Sequence, residues 1–358
     1  MSIEIIEFDN IDKNKLEYFF NQSLDIWFQH STNWIEYTLN MRKEGSKNLS
    51  FAIIENNEIV AFAPLIKEYI FFEKEKNEFN MAGIPTLYPA FSSNLSKNNR
   101  DKIEKLVFQK IFEISESEKI DYMTFGISPL IDNILNTKII VNPLIKYKFQ
   151  DTTISSNILK LDKEEDVLFR NFRKGTKSDI KVAIKNGAST KVYNSENITK
   201  ELFMIYKDIH FKASGRQTRP DETWGNMYNW ILNNYSILAL TTIKDKIISA
   251  QIVNVYKSKA YYHSGATLPE YEKERGIGHL AQWEIIKYLK SNDFTHYEIG
   301  WNWYPNVSQE VADNKMQGIS RFKSGFGADI FPFFRGEWFR DKEYMKKIIN
   351  ERLDKYEI

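Results

Sequence analysis

Two stretches of the chain set short apolar runs around polar turns, which predicts β-hairpins. Residues 49–67 carry Phe51-Ala-Ile-Ile and Ile59-Val-Ala-Phe on either side of Asn56-Asn57. Residues 235–257 repeat the pattern, with Ile237-Leu-Ala-Leu and Ile247-Ile-Ser-Ala-Gln-Ile-Val around Lys244-Asp245-Lys246. After each hairpin comes a helical pattern and then a short strand ending in glycine. In the first half, apolar residues at Ile103, Leu106, Val107, Ile111 and Ile114 predict a helix over 101–119, followed by a strand over 122–126 that ends at Gly126. In the second, Ile277, Leu280, Ala281, Ile285 and Leu289 predict a helix over 278–290, followed by a strand over 297–300 that ends at Gly300. Helical periodicity also opens each half, at 12–39 and at 167–186 with 199–213. The pattern predicts two α/β halves of like topology, 1–155 and 156–358, each a mixed, mostly antiparallel sheet flanked by helices.

Composition narrows the function classes. The chain has 358 residues, 42% hydrophobic and 15% aromatic, which is ample for two folded cores. Lys and Arg total 49 against 48 Asp and Glu, so no whole-molecule field draws nucleic acid or an anionic membrane, and any basic site must be local. The absence of cysteine excludes disulfides, a catalytic thiol and thiolate-held metals. No metal is expected. With neither a signal-peptide pattern nor a long apolar run, the protein is expected to have no transmembrane segment and to be cytoplasmic.

The halves differ where chemistry would sit. The second hairpin leads into a further strand, residues 259–266, then Lys273-Glu-Arg275-Gly276-Ile277-Gly278 and the helix. A Gly-x-Gly between strand and helix lets backbone N–H groups face an anion at the helix N-terminus, and Lys273 and Arg275 add cations. At the corresponding place the first half has Met81-Ala-Gly-Ile-Pro-Thr-Leu-Tyr-Pro-Ala90, in which two prolines replace the cradle, so a degenerate donor site is expected there.

Lys273-x-x-Gly276-x-Gly278 before a helix resembles the acyl-CoA pyrophosphate loop of the GNAT acyltransferases, with Lys in its first place. The duplicated layout, together with Arg170-Asn-Phe-Arg173-Lys-Gly-Thr-Lys-Ser-Asp-Ile180, His279-Leu-Ala-Gln-Trp283 and Gly318-Ile-Ser-Arg321-Phe-Lys323-Ser-Gly-Phe-Gly327, resembles the Fem family of peptidoglycan-bridge aminoacyltransferases and their acyl-CoA-using relatives. The resemblance implies tandem GNAT-like domains and an N-acyltransferase. Lys323 matches the lysine of the Fem Phe-Lys-x-Gly-Phe motif, which implies an anion-binding or transition-state role.

Acyl transfer to an amine needs a base, a polarised carbonyl and a protonated leaving group. His263, on the strand before the cradle, is the first candidate base. Glu298, on the next strand, is the second; the rival reading of each is a packed or surface residue. Tyr304 is a candidate acid for the leaving group. Trp301 and Trp303 would wall a sugar ring, and Lys212, Arg216 and Arg219 form a basic loop suited to a diphosphate. The expected activity is acyl transfer from acyl-CoA to a nucleotide-linked amino sugar for surface polysaccharide such as O-antigen. The alternative is a Fem-type transferase that uses aminoacyl-tRNA on a peptidoglycan precursor, and a third reading is a binding protein with decayed sites. No heptad segment offers the helical arm often seen in tRNA-dependent Fem enzymes.

Overall fold

The computed structural model describes residues 3–42, 44–70, 73–136, 141–304 and 312–355. The chain divides into two compact units. The first comprises residues 1–154, 308–311 and 332–358, and the second comprises 155–307 and 312–331. The last stretch therefore returns to the first unit, whereas the sequence pattern placed all of 156–358 in the second. Its attachment is a ladder that no local pattern encodes. Residues 334–339 pair antiparallel with the strand Ile120–Ile127, and Arg352 holds Glu337 through two bonds of 2.8 and 2.9 Å.

Within the first unit the predicted hairpin forms from Phe51–Glu55 and Glu58–Ala63, with Asn56 and Asn57 both left-handed at φ 51 and 66. Such a turn matches the right-handed strand twist, and asparagine tolerates it. The predicted helix spans Lys97–Ser117, capped by Ser96. The strand Glu73–Phe79 runs parallel to Ile120–Ile127 up to the pair Phe79 and Met123. Beyond that point Thr86–Leu87 takes over the parallel pairing, at Phe125 and Gly126. The position where the two strands would part is occupied by chain.

The second unit repeats this order. Its elements are β1 (Ile154–Lys160), α1 (Lys174–Lys185), β2 (Ala188–Tyr193), α2 (Lys200–Ser214), α3 (Asp221–Leu232), β3 (Ser236–Ile243), β4 (Lys246–Tyr256), β5 (Lys259–Thr267), α4 (Ile277–Ser291), β6 (His296–Asn302) and α5 (Asn314–Lys323). The sheet order is β2-β3-β4-β5-β6-β1, antiparallel except for β5 with β6. That parallel pair needs a crossover, which α4 supplies. Ile248, Val253 and Val255 of β4 join one core with Ile180 and Ala183 of α1 and Leu280, Ile285 and Leu289 of α4. Helices α2 and α3 cover the other face of the sheet with Phe203, Tyr206, Trp224 and Trp230.

The parallel ladder of β5 and β6 has three pairs, Lys259 with His296, Ala260 with Tyr297 and Tyr261 with Glu298. From there the strands run on through Thr267 and Asn302 without pairing, and each carries a bulge: His263 is the extra residue opposite Ile252 and Val253, and Ile299 the extra one opposite Asn157 and Ile158.

Glu337 is 3% exposed, and Tyr122 Oη also donates to it at 2.8 Å. Replacing Arg352 by Met would leave that carboxylate buried without its cation. The expected loss is about 3 kcal/mol, read as a lowered unfolding midpoint in urea.

Candidate active site

Beside the unpaired end of β5, a cavity of about 590 Å³ opens in the second unit. Its wall takes Ser249 and Gln251 from β4, Tyr262 and residues 265–267 from β5, Gly276, Ile277, Gly278 and His279 from the start of α4, and Lys315 and Phe322 from α5. The predicted cradle is therefore on the wall. Gly276 caps α4 in the left-handed conformation, φ 85. A Cβ there would stand 2.0 Å from the Asp179 carbonyl oxygen of α1, so only glycine fits. The helix is 15 residues long, and its first turn, whose N–H groups have no partner within the helix, lines the opening.

The cations expected beside the cradle are placed differently. Arg275 Nε donates to Asp179 Oδ1 at 2.6 Å and its Nη2 to Ser178 Oγ at 3.3 Å, so its charge is spent on α1. Lys273 is exposed and lies off the wall. The ionisable wall residues besides Tyr262 and Tyr271 are Glu272, Glu274, Lys315, His210 and His279. Burial pushes the pKa of His279 down, and that of His210 down to about 4 with help from Arg219. At neutral pH both rings are uncharged, which leaves two carboxylates against one ammonium.

Glu298 lies on the last pair before the strands separate, is 2% exposed and is not itself part of the cavity wall. Ser156 Oγ donates to its Oε1 at 2.6 Å, and the side chain of Trp301 bonds to it as well. Burial raises its pKa to about 7 against the lowering effects of Ser156, Lys323 and Trp301. Lys323, at the end of α5, places its Nζ 2.8 Å from where a Cβ of Gly300 would be; burial lowers its pKa, opposed by Glu298. Gly300 has φ 118 and faces this ammonium, so strand and lysine approach closely only because no side chain intervenes. Sequence pattern singled out both Glu298 and Lys323; what it missed is Ser156.

His263 has another setting. Its ring lies edge-on to Trp230 of α3, 5.9 Å between centroids, and burial, Arg219 and His210 push its pKa down to about 3. The imidazole is neutral, as a base must be, but it binds protons too weakly to take one from an ammonium efficiently. Arg219 turns inward over Trp224, 5.0 Å from the ring, while Arg216 lines a separate cavity of about 300 Å³ with Phe211, Thr218 and Trp224. Lys212 pairs with Asp208 one turn away at 2.7 Å. The basic loop thus splits into an inward and two outward cations. Trp303 donates its backbone N–H to Ser320 Oγ at 2.8 Å and meets Trp301 edge-on at 6.1 Å. Tyr304 is exposed and off the cavity wall. Among the described residues, no group of three or more His, Asp and Glu could hold a metal, and no helix is long and apolar enough to cross a membrane.

These features define a class. Residues 232–314 match the acetyltransferase (GNAT) domain, so the second unit carries a GNAT-type acyltransferase domain, and the fold of the chain is a Fem-like arrangement of two GNAT-like units. It is similar to the crystal structure of FemX, with 15% identity over 98% of this chain and 100% of that one and a TM-score of 0.64. It is also similar to L-PGS from Bacillus licheniformis (10% identity, 96% of each chain, TM-score 0.57). A third likeness is to a tandem GNAT protein from the clavulanic acid biosynthesis pathway (8% identity, 95% and 99% of the chains, TM-score 0.54). No curated protein matches the chain in sequence.

Gly276→Ala should destabilise the second unit by more than about 1–2 kcal/mol, the usual cost of a left-handed residue with a Cβ, since the Asp179 carbonyl must also move. Thermal unfolding checks this. A variant as stable as the parent would show that the close approach of α4 to α1 is absent.

Proposed function

We propose that the chain is an aminoacyltransferase of the Fem type, which takes an amino acid from its ester on tRNA and joins it to a primary amine of a peptidoglycan precursor. The observation that carries this reading is the charge of the cavity wall. A CoA pyrophosphate would bring negative charge against Glu272 and Glu274 with Lys315 as the wall's one charged cation among the described residues. An aminoacyl ester brings an ammonium, which those carboxylates favour. The likeness to FemX supports the same choice: it spans that whole chain, so the lack of a helical arm does not separate the two. The amino-sugar acceptor and acyl-CoA donor expected from the sequence are the competing pair, kept as an outcome of the test.

In the proposed reaction the acceptor amine nitrogen bonds to the ester carbonyl carbon and the carbonyl electron pair moves onto oxygen. The pair returns as the bond to the ribose oxygen breaks, and that oxygen takes a proton. Glu298 is the base that removes a proton from the amine. Its position on the last pair before β5 and β6 separate and its pKa of about 7 suit that task, because a base works best when its pKa lies near the working pH. Lys323 beside it keeps Glu298 partly ionised in spite of burial.

Incubation with aminoacyl-tRNA labelled in the amino acid, and separately with labelled acetyl-CoA, each with a peptidoglycan precursor and with a nucleotide-linked amino sugar, tests the reading. Label should move from tRNA to the precursor. Transfer from acetyl-CoA alone, onto the sugar, would overturn it.

Activity should rise with pH through about 7, since only the ionised Glu298 accepts a proton. Glu298→Gln should lower kcat by at least about 100-fold and abolish that limb of the profile. Stability should change in the opposite sense. Between the ordinary carboxyl value near 4.5 and about 7 the folded state holds a proton that the unfolded state has released, so stability falls as pH rises through this window, and the variant should lack the fall.

A further inference from the structure

A glutamine inside a buried apolar strand costs free energy unless its amide is paired. Gln251 of β4 is such a residue, 4% exposed, within Ile247-Ile-Ser-Ala-Gln-Ile-Val. Its Oε1 accepts from Gln282 Nε2 of α4 at 2.8 Å, and Gln282 Oε1 accepts from Tyr297 Oη of β6 at 2.8 Å. Both Gln282 and Tyr297 are fully buried. The direction of this chain is determined from its inner end. The phenol stays protonated, because burial raises its pKa well above 10, and Gln282 is its hydrogen-bond partner. Were both amides turned over, the Tyr297 hydrogen would be left without an acceptor in the core. The phenol therefore donates, Gln282 must present oxygen to it and nitrogen to Gln251, and Gln251 must present its remaining N–H groups elsewhere. They face the cavity, where Gln251 Nε2 lies 3.9 Å from the place a Gly278 Cβ would take.

A second neutral donor stands beside it. A Cβ on Gly265, the register partner of Gln251, would be 2.3 Å from the Tyr262 hydroxyl and 3.1 Å from Gln251 Cγ. The phenol hydroxyl and the Gln251 side chain thus meet over one glycine on the cavity wall. We propose that Gln251 and Tyr262 bind the carbonyl oxygen of the acyl group being transferred, with Gln282 and Tyr297 as positioning residues that fix the Gln251 amide. As the amine nitrogen bonds to the carbonyl carbon, the carbonyl pair shifts onto this oxygen. Donors already oriented there stabilise it without reorganising. The proposal rests on the acyl-transfer reading but not on which donor is used.

With whichever of aminoacyl-tRNA or acetyl-CoA supports turnover, Gln251→Leu should lower kcat by about 100-fold and leave KM within about twofold. Tyr297→Phe, which touches no substrate, should also lower kcat at unchanged KM, because the amides are then free to turn over. A loss of less than threefold in Gln251→Leu, with the variant folded by circular dichroism, would overturn the proposal, as would Tyr297→Phe acting on KM alone. If neither donor is turned over, the functional reading falls. The Gln251 side-chain amide resonance, assigned by its absence in Gln251→Leu, then decides the proposal separately: it should shift when acetyl-CoA or a 3′-aminoacylamido adenosine is added, and no shift with either would overturn it.

Discussion

The second unit is organised around two parallel strands that pair for three residues and then part. Backbone groups that a sheet would satisfy are released where β5 and β6 separate, and a buried backbone requires partners. The second unit meets that requirement by bulges at His263 and Ile299, by Asn157 Nδ2 donating to the Gly300 carbonyl at 2.9 Å, and by a cavity open to ligand. The first unit meets it with chain: Thr86–Leu87 continues the parallel ladder along Ile120–Ile127, and the Tyr88 N–H donates to the Gly126 carbonyl at 2.8 Å. One topology thus leaves the strand gap open in one unit and fills it in the other.

Burial then sorts the ionisable groups near the gap. The same desolvation raises the pKa of Glu298 and lowers those of Lys323 and His263, since each loses water around its charged form. The difference lies in the neighbours. Glu298 has a hydroxyl donor and a lysine, which bring it back to about 7, while His263 has Arg219 and a second imidazole, which drive it further to about 3. Two residues equally plausible by position in the sequence are separated by which charges the fold brings to them.

What was legible in the sequence follows from range. Hairpin turns at Asn56-Asn57 and Lys244-Asp245, the helix faces and the Gly276 cradle are written in neighbouring residues, and the structure has them within a few positions. The helical stretch expected over 12–39 forms two helices, Lys13–Gln22 and Thr32–Met41, because Asp12 and Ser31 each cap a new start. Arg275 was read as a cradle cation from its spacing alone; its partner Asp179 lies 96 residues away in sequence and no local pattern reveals it. Ser156 and the final strand were missed for the same reason. Gln251 did leave a signal, a polar residue in an apolar run, though its meaning needed Gln282 and Tyr297 from two other elements.

The two halves of the GNAT loop pattern have separable physical roles here. Its first glycine is required by packing: Gly276 must pass the Asp179 carbonyl whether or not an anion binds, whereas a Cβ on Gly278 would only touch Phe322 at 3.5 Å, so the presence of Gly276 does not by itself specify a phosphate ligand. Its basic residues would specify one, and these are turned to α1 or out to solvent while Glu272 and Glu274 stand on the wall. A loop can therefore keep the backbone form of a pyrophosphate site without presenting its cations there. Under the proposed reading it is the charge on the wall, more than the glycine spacing, that would distinguish one donor from the other.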